Sequence, residues 1–311
     1  MRVSSRSFYH QFSDQVRTLS NRQNRLQSQA ASGQRIQTAE EDPAAMRRIL
    51  DLQAEATRVQ QHQKNIDGLK EKVSVSYDAL RGLKTISDRV TELAVLADGT
   101  KSPDDLKLYA TEIGQLLEQA TTLVNSRHKG EYLFAGTRSD QAPFQIQRNA
   151  EGRITNVTYQ GNTDAPAVEV AEDMTVSVLV PGENPGGAGS RGLVSDPRSG
   201  ADLFRHLIRF QNNLLSGDVN AIITQDRPAL AKDEENIIFQ MSTNAATQSR
   251  LDSAKNIATS RVAALGNLIS REGNADLAET LVQLNQTQTA YQAALQGGAR
   301  VMQLSLLNYL R

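Results

Sequence analysis

A seven-residue apolar repeat between residues 43 and 98 constrains the fold of this chain more than any other feature. Five apolar positions follow one another at intervals of seven: Leu52, Val59, Ile66, Val73 and Leu80. This spacing is typical of coiled-coil packing. Asp42 before Pro43 predicts a helix N-cap followed by proline at the first helical position. A helix over residues 43–98 would be roughly 80 Å long, whereas a compact globule of this chain length would be about 50 Å across. The repeat therefore predicts an elongated molecule.

Both ends of the chain carry narrow apolar rows at helical spacing, which we call the terminal seams. The N-terminal seam consists of Phe12, Val16, Leu19 and Leu26. The C-terminal seam consists of Leu281, Leu284, Tyr291, Leu295, Met302 and Leu306. Neither seam can be buried by its own helix, so we expect the two to pair with each other and with further copies of the protein. For residues 43–130 and 227–266, ordinary packing within one chain is an equally good interpretation, because enough partner helices exist there.

Glycine and proline divide the chain, since residues 130–200 hold 10 of the 20 Gly and 5 of the 8 Pro. In this middle part, alternation at 144–147 and 154–159 predicts a β-hairpin, and 168–170 and 176–180 are further predicted strands. Helical patterns resume at 201–216 and 227–266. The predicted fold is mainly α, an elongated helical bundle or coiled coil formed by both chain ends with a small inserted β domain. The expected domains are a terminal assembly region (1–40 with 275–311), a rod-like bundle (41–137 with 200–274) and the β insert (138–199).

The composition excludes several classes of protein. The absence of Cys rules out disulfides, thiolate metal sites and a cysteine nucleophile. A formal net charge of −1 argues against general nucleic-acid binding, which needs a basic surface. There is no run of 18 apolar residues to insert in a membrane. The first residues have no apolar stretch of the kind found in cleavable signal peptides, so a secreted form of this chain would need another export route.

A search for catalytic patterns predicts no enzyme, no cofactor and no metal site. The sequence has no phosphate-binding loop of the Walker type, no G-x-S-x-G and no H-E-x-x-H. The four histidines (His10, His62, His128 and His206) lie far apart in sequence without metal-ligand neighbours at helical spacing. The acidic runs 40–42 and 233–235 lie at or near predicted helix starts, where they favour the helix dipole. The run Gly186-Gly187-Ala188-Gly189 is interpreted as a loop.

Five segments, in order along the whole chain, resemble the flagellin family of bacterial flagellar proteins. Residues 26–46 contain an S-G-x-R-I core at 32–36 followed by the acidic pair Glu41-Asp42. The other segments are GEYLFAGTRSDQAPF at 130–144, residues 201–218, residues 274–295 and the ending SLLNYL at 305–310. Asp42-Pro43-Ala44-Ala45 is similar to the hook–filament junction proteins of the family rather than to its filament subunits.

The resemblance implies a structural role in the flagellum, in which the protein joins hook to filament through its terminal helices and the β insert faces solvent. It also implies a homo-oligomer in a ring or short helical assembly, with a neighbouring hook-associated protein and flagellin as partners. Such proteins are exported unfolded through the flagellar type III apparatus with the help of a chaperone, so the expected location is extracellular. Three alternatives remain open: flagellin itself, a coiled-coil adaptor inside the cell, and an enzyme whose catalytic part is the insert.

Overall fold

The computed structural model describes residues 3–164, 166–178 and 180–309, with side chains for 9–164, 166–178 and 180–301. It confirms a mainly α fold with a small β-rich insert. The long helices are α1 (Val3–Ser32), α2 (Pro43–Leu96), α3 (Pro103–Val124), α4 (Leu203–Ser216), α6 (Arg227–Gly273) and α7 (Leu277–Tyr309). A single turn, α5 (Val219–Ala221), and a π-helical turn (Ile222–Asp226) precede α6.

The β-structure consists of antiparallel two-stranded hairpins, and in the described ranges each strand pairs with one neighbour. The pairs are β1 (Arg127–His128) with β2 (Glu131–Tyr132), β3 (Phe144–Arg148) with β4 (Ile154–Tyr159), β5 (Val168–Ala171) with β6 (Met174–Val176), and β7 (Ser195–Asp196) with β8 (Ala201–Asp202). The β3–β4 hairpin confirms the sequence prediction, and Phe144 stands opposite Tyr159 in its register.

Three predicted elements differ from the structure. Helix α6 continues to Gly273, beyond the expected end at residue 266. The third helix ends at Val124 rather than near Gly130, because the Asn125 side chain bonds both the backbone N–H and the carbonyl of Phe144 and turns the chain toward β3. The strand predicted at 176–180 is also wrong in extent over its described residues, and Leu179 lies outside them. Pairing with β5 covers Met174–Val176, and Ser177 and Val178 continue beyond the ladder without a partner strand.

The chain divides into two compact units. One comprises the described residues up to Arg58 and from Ser260 onward, and it contains α1 and α7. Its small apolar cluster is formed by Ile36, Ala45 and Ile49, with Met46 and Ile269 packed against them. The other unit comprises Val59–Thr259, and both α2 and α6 contribute residues to each unit.

Helices and insert share one core in the unit Val59–Thr259. Fully buried Leu80, Leu117 and Phe210 come from α2, α3 and α4. Phe144 and Leu193 from the insert belong to the same cluster. A second cluster joins α2 and α6 to the β5–β6 hairpin, with Ile66, Val73, Val170, Val176 and Leu251 among its members. The heptad positions Ile66, Val73 and Leu80 are therefore buried against helices and hairpins alike, whereas Leu52 and Val59 are half-buried.

The π-helical turn places a buried carboxylate in this core. Its last residue, Asp226, is fully buried and accepts hydrogen bonds from Arg209 Nε and Asn213 Nδ2, both at 2.7 Å. The next residue, Arg227, donates to the carbonyl of Ala94 at 3.0 Å, which satisfies a carbonyl near the end of α2. None of the helices in the described ranges is both long and apolar enough to cross a lipid bilayer.

Candidate assembly surface on the terminal helices

Helices α1 and α7 pack against each other. On α1, the predicted seam residues Phe12, Val16 and Leu19 are half-buried and Leu26 is buried. Their spacing of four, three and seven residues keeps them on one face of the helix.

The contact row on α7 is offset from the predicted C-terminal seam. Its buried members are Thr280, Thr287 and Gly298. Half-buried Leu284, Tyr291 and Ala294 lie between these positions at alternating steps of four and three. Leu284 and Tyr291 thus belong to both rows. Leu281 and Leu295, by contrast, are 50% and 44% exposed. Met302 and Leu306 lie outside the residues whose side chains are described.

Small side chains explain the offset, because they let the two helices approach closely. A Cβ atom added to Gly298 would lie 2.6 Å from both Cε atoms of the Phe12 ring, closer than carbon atoms can pack. The Thr280 and Thr287 hydroxyls donate to carbonyls of their own helix, Asp276 and Gln283, both at 2.7 Å. Their polar atoms are therefore satisfied although the side chains are buried.

An open apolar surface remains beside this contact. A groove of about 590 Å³ runs along α1 from Tyr9 to Asn21, with Tyr291 as its wall on α7. The outer side of α7 exposes Leu277, Leu281 and Leu295 by 44–50%, and these lie within about 40° of one another around the helix axis. Val282 and Val301 are also exposed, on other faces of the helix. Exposed apolar rows of this kind mark interaction surfaces when they are contiguous.

The S-G-x-R-I core forms the joint between the two chain ends. Gly33 adopts a left-handed backbone with φ of 70°, and Gln34 forms an antiparallel bridge with Asn274. The Arg35 N–H donates to the Gly273 carbonyl at 2.7 Å, and the Ala275 N–H donates to the Gly33 carbonyl at 2.9 Å. The short segment between α1 and α2 is thus paired with the segment between α6 and α7.

The acidic pair completes this joint. Glu41 accepts a hydrogen bond from the Gln37 N–H at 2.8 Å and lies 3.3 Å from Arg25. Asp42 accepts from the Ala45 N–H at 3.0 Å, and that bond lowers the pKa of its carboxyl group. The Arg35 guanidinium lies 3.6 Å from Asp42 and donates to the Glu272 carbonyl at 2.8 Å. Residues 272–276 were not predicted to take part, because bonds between distant segments leave no local pattern.

Three of the four histidines lie beside different carboxylates. Among the described side chains, no three of the His, Cys, Asp and Glu type are grouped to hold a metal ion. His62 lies 4.0 Å from Glu169, and His128 lies 3.4 Å from Glu71. His206 Nδ1 is 2.8 Å from Asp233 Oδ2, but both residues are buried. Burial raises the pKa of Asp233, opposed by its bond to His206. Asp233 therefore points into the core and does not serve as a helix-start charge.

Comparisons with known proteins agree with these features. Residues 3–139 match the family model of the bacterial flagellin N-terminal helical region. The chain is 28% identical over 163 residues to flagellar hook-associated protein 3 of Salmonella typhimurium, covering 51% of each chain. It is 29% identical over 153 residues to the Escherichia coli protein of that name, covering 48% of this chain and 47% of the relative. The chain thus spans about half the length of the curated relatives it matches.

Solved structures show the same fold. A putative flagellar hook-associated protein from Vibrio parahaemolyticus superposes with a TM-score of 0.64 at 18% identity, over 75% of this chain and 100% of that one. FlgL from Xanthomonas campestris superposes with a TM-score of 0.56 at 21% identity, over 70% of this chain and 98% of that one. The resemblance to the flagellin family that the motifs indicated is confirmed.

Proposed function

We propose that this chain, whose residues 3–139 match the flagellin N-terminal helical region, is a structural component of the bacterial flagellum that joins hook to filament as a hook-associated protein 3. It works by assembly and is not an enzyme. The observation that carries the proposal is the pairing of α1 with α7, which leaves an apolar row uncovered on the outer side of α7. The names of the curated relatives support the junction role over that of flagellin.

In this proposal, some residues of the terminal seams hold α1 to α7, and others contact neighbouring subunits. Half-buried Phe12, Val16, Leu19, Leu284 and Tyr291, together with buried Leu26, hold α1 to α7. Leu281 and Leu295 face outward and contact neighbouring subunits. Met302 and Leu306, which follow on the same helix, extend the assembly surface toward the chain end. Burying a fully exposed leucine is worth about 1.5–3 kcal/mol, so several half-exposed residues per subunit supply a substantial association energy.

The partners follow from the same role. Copies of the chain form a ring or short helical assembly, bounded by a neighbouring hook-associated protein on one side and flagellin on the other. The chain is exported by the type III route, and an export chaperone recognises its apolar C-terminal helix. The location is then the extracellular hook–filament junction, and nucleic acid and membrane are not partners.

A polymerisation experiment tests this function against its alternative, flagellin. The purified full-length chain is added to short filament seeds, and filament length is followed by electron microscopy. We expect the chain to bind seed ends and stop, because a junction protein forms a layer of limited size. Indefinite growth of filaments composed of this chain would contradict the junction role and support flagellin. Absence of the chain from sheared extracellular appendages would contradict both.

A further inference from the structure

A groove of about 350 Å³ opens between α6, α2 and the segment that follows β6. We call it the arginine groove. The residues that matter here are Ser177, Val178, Arg191, Phe239, Thr243 and Asn244. None of the described residues that line it is acidic. All of these residues belong to the unit Val59–Thr259, so the groove is separate from the paired terminal helices.

Arg191 is held in place at the groove. Its carbonyl accepts a hydrogen bond from Gln240 Nε2 at 2.8 Å, and its guanidinium lies over the Phe239 ring, 4.0 Å from the centroid. Stacking on an aromatic face leaves the in-plane N–H groups of an arginine available. Arg191 forms no ion pair with any described residue. Arg198, which also lines the groove, instead gives its Nε and Nη2 to the Asp196 carboxylate at 2.9 and 2.7 Å.

The backbone that follows β6 also lines the groove and is unpaired within the described residues. The alternating sequence at 176–180 predicts a strand, yet the β5–β6 ladder ends at Val176. Beyond it, the backbone groups of Ser177 and Val178 make no hydrogen bond within the described ranges. Ser177 is exposed, whereas Val178 packs against the cluster of Val170 and Val176. A strand-prone segment with free backbone groups is a template for another extended chain.

A buried polar atom in the wall is also unsatisfied. Asn244 is 5% exposed and lines the groove. Its Nδ2 donates to the Val73 carbonyl at 3.2 Å, but its Oδ1 has no hydrogen-bond partner in the described part of the chain. Buried polar atoms nearly always have a hydrogen-bond partner in the protein or in ordered water, so this oxygen is an acceptor that a bound peptide N–H or a water can use.

We propose that the arginine groove binds an extended peptide segment that carries an acidic side chain. The peptide backbone pairs with Ser177 and Val178, its carboxylate accepts hydrogen bonds from the Arg191 guanidinium, and an apolar side chain lies on the exposed Phe239 ring. The charge of the groove favours an anion. Arg191 has no carboxylate partner among the described residues, and none of the described lining residues is acidic. The flagellar assignment is not needed for this inference, which stands on the unit Val59–Thr259 alone.

The probe is the acetylated and amidated pentapeptide TVEVT, labelled with fluorescein and titrated with the full-length protein while polarisation is recorded. We expect saturable binding that weakens at least about tenfold for Arg191→Ala and for the peptide TVQVT, the loss of one charge-assisted contact. A TVEVT peptide N-methylated at the two valines should lose at least about tenfold as well, because the backbone donors are blocked. Arg153→Ala, which removes an exposed arginine outside the groove, is the matched control and should bind as the unmodified chain does.

Three results would overturn the proposal. The first is no saturable binding by the unmodified chain up to about millimolar concentration. The second is equal binding by Arg191→Ala, with circular dichroism showing that the variant is folded, or equal binding of the N-methylated peptide. The third is full displacement of TVEVT by glucuronate at the same concentration, which would make the groove a saccharide site. Loss for Arg191→Lys as well as Arg191→Ala supports planar bidentate recognition.

Discussion

Gly298 on α7 lies directly beneath the aromatic ring of Phe12 on α1, where any side chain would collide with the ring. The contact explains why a glycine occupies a buried position in the middle of a helix, where it costs roughly 0.5–1 kcal/mol relative to alanine. Close approach of α1 and α7 compensates for this cost. The relationship fixes which face of α7 is turned inward, and it therefore also fixes which leucines remain outside.

Replacing Gly298 by alanine should weaken the pairing of the terminal helices. Overpacking of a tight contact typically costs about 1–3 kcal/mol, and we expect a loss of that size in the free energy of unfolding, measured by urea denaturation with circular dichroism. The neighbouring Gly297 is the matched control, since a Cβ there meets nothing within 4 Å. Gly297→Ala should be neutral or stabilising, because alanine has the higher helix propensity. Equal effects of the two variants would refute the close contact at Gly298.

Leu281→Asp should abolish assembly while leaving the monomer folded. Leu281 is 50% exposed, so the free energy of unfolding should change by no more than about 0.5 kcal/mol. Incorporation into sheared flagella should fall to background in cells that carry this variant. Normal incorporation of Leu281→Asp would show that the outer row of α7 is not an assembly surface.

Leu284→Asp should behave differently from Leu281→Asp. Leu284 is half-buried in the row that faces α1, so an aspartate there places a charge between two helices. We expect a loss of about 1–3 kcal/mol in the free energy of unfolding, measured on the purified monomer. A Leu284→Asp monomer as stable as the unmodified chain would mean that α7 presents another face to α1.

The free energy of unfolding of the unit Val59–Thr259 should fall as pH rises, because Glu183 loses its proton. Burial raises the pKa of its carboxyl to about 7, and the negative charge of Asp202 adds to the effect. Because the pKa in the folded state lies above that of an unfolded glutamate, the stabilisation is fully present below about pH 4.5. It is lost as pH rises toward and through 7. After allowance for solvent screening, the loss should be about 1–2 kcal/mol.

The Glu183→Gln variant isolates this effect, since a glutamine does not titrate. The difference in unfolding free energy between Glu183→Gln and the unmodified chain should change between pH 5 and pH 8, in favour of the variant at the higher pH. Glu151→Gln, at an exposed glutamate in the β3–β4 turn, is the control for the substitution itself. A difference for Glu183→Gln that is flat across this range would contradict the raised pKa.

The helices were predictable from the sequence because their signals are local and repeated. The heptad positions of α2, the Asp42-Pro43 start and the apolar rows of α1 each lie within one element. The β3–β4 hairpin was predictable for the same reason, since alternation on either side of a turn is visible in the sequence. The strand predicted after Val176 was too long. Alternation in the sequence indicates strand propensity, whereas a residue is paired only where a partner strand lies beside it.

The inward face of α7 could not be predicted from its leucines. Hydrophobic periodicity gives weight to large apolar residues, but a close helix contact selects small ones, here Thr280, Thr287 and Gly298. A search for small residues at alternating steps of four and three, beginning at Thr280, would have found Thr287, Ala294 and Gly298. The bonds between 33–35 and 272–275 had no local signal at all, because they join segments almost 240 residues apart. The resemblance marked the first of these segments without showing its partner.

The position of the protein on isolated hook–filament structures tests the central claim most directly. Antibodies against the insert, residues 138–199, are bound to purified hook–filament complexes and located by electron microscopy. A hook–filament junction protein should be labelled as one narrow band where hook and filament meet. Label distributed along the whole filament, or label absent from the appendage, would contradict the assignment.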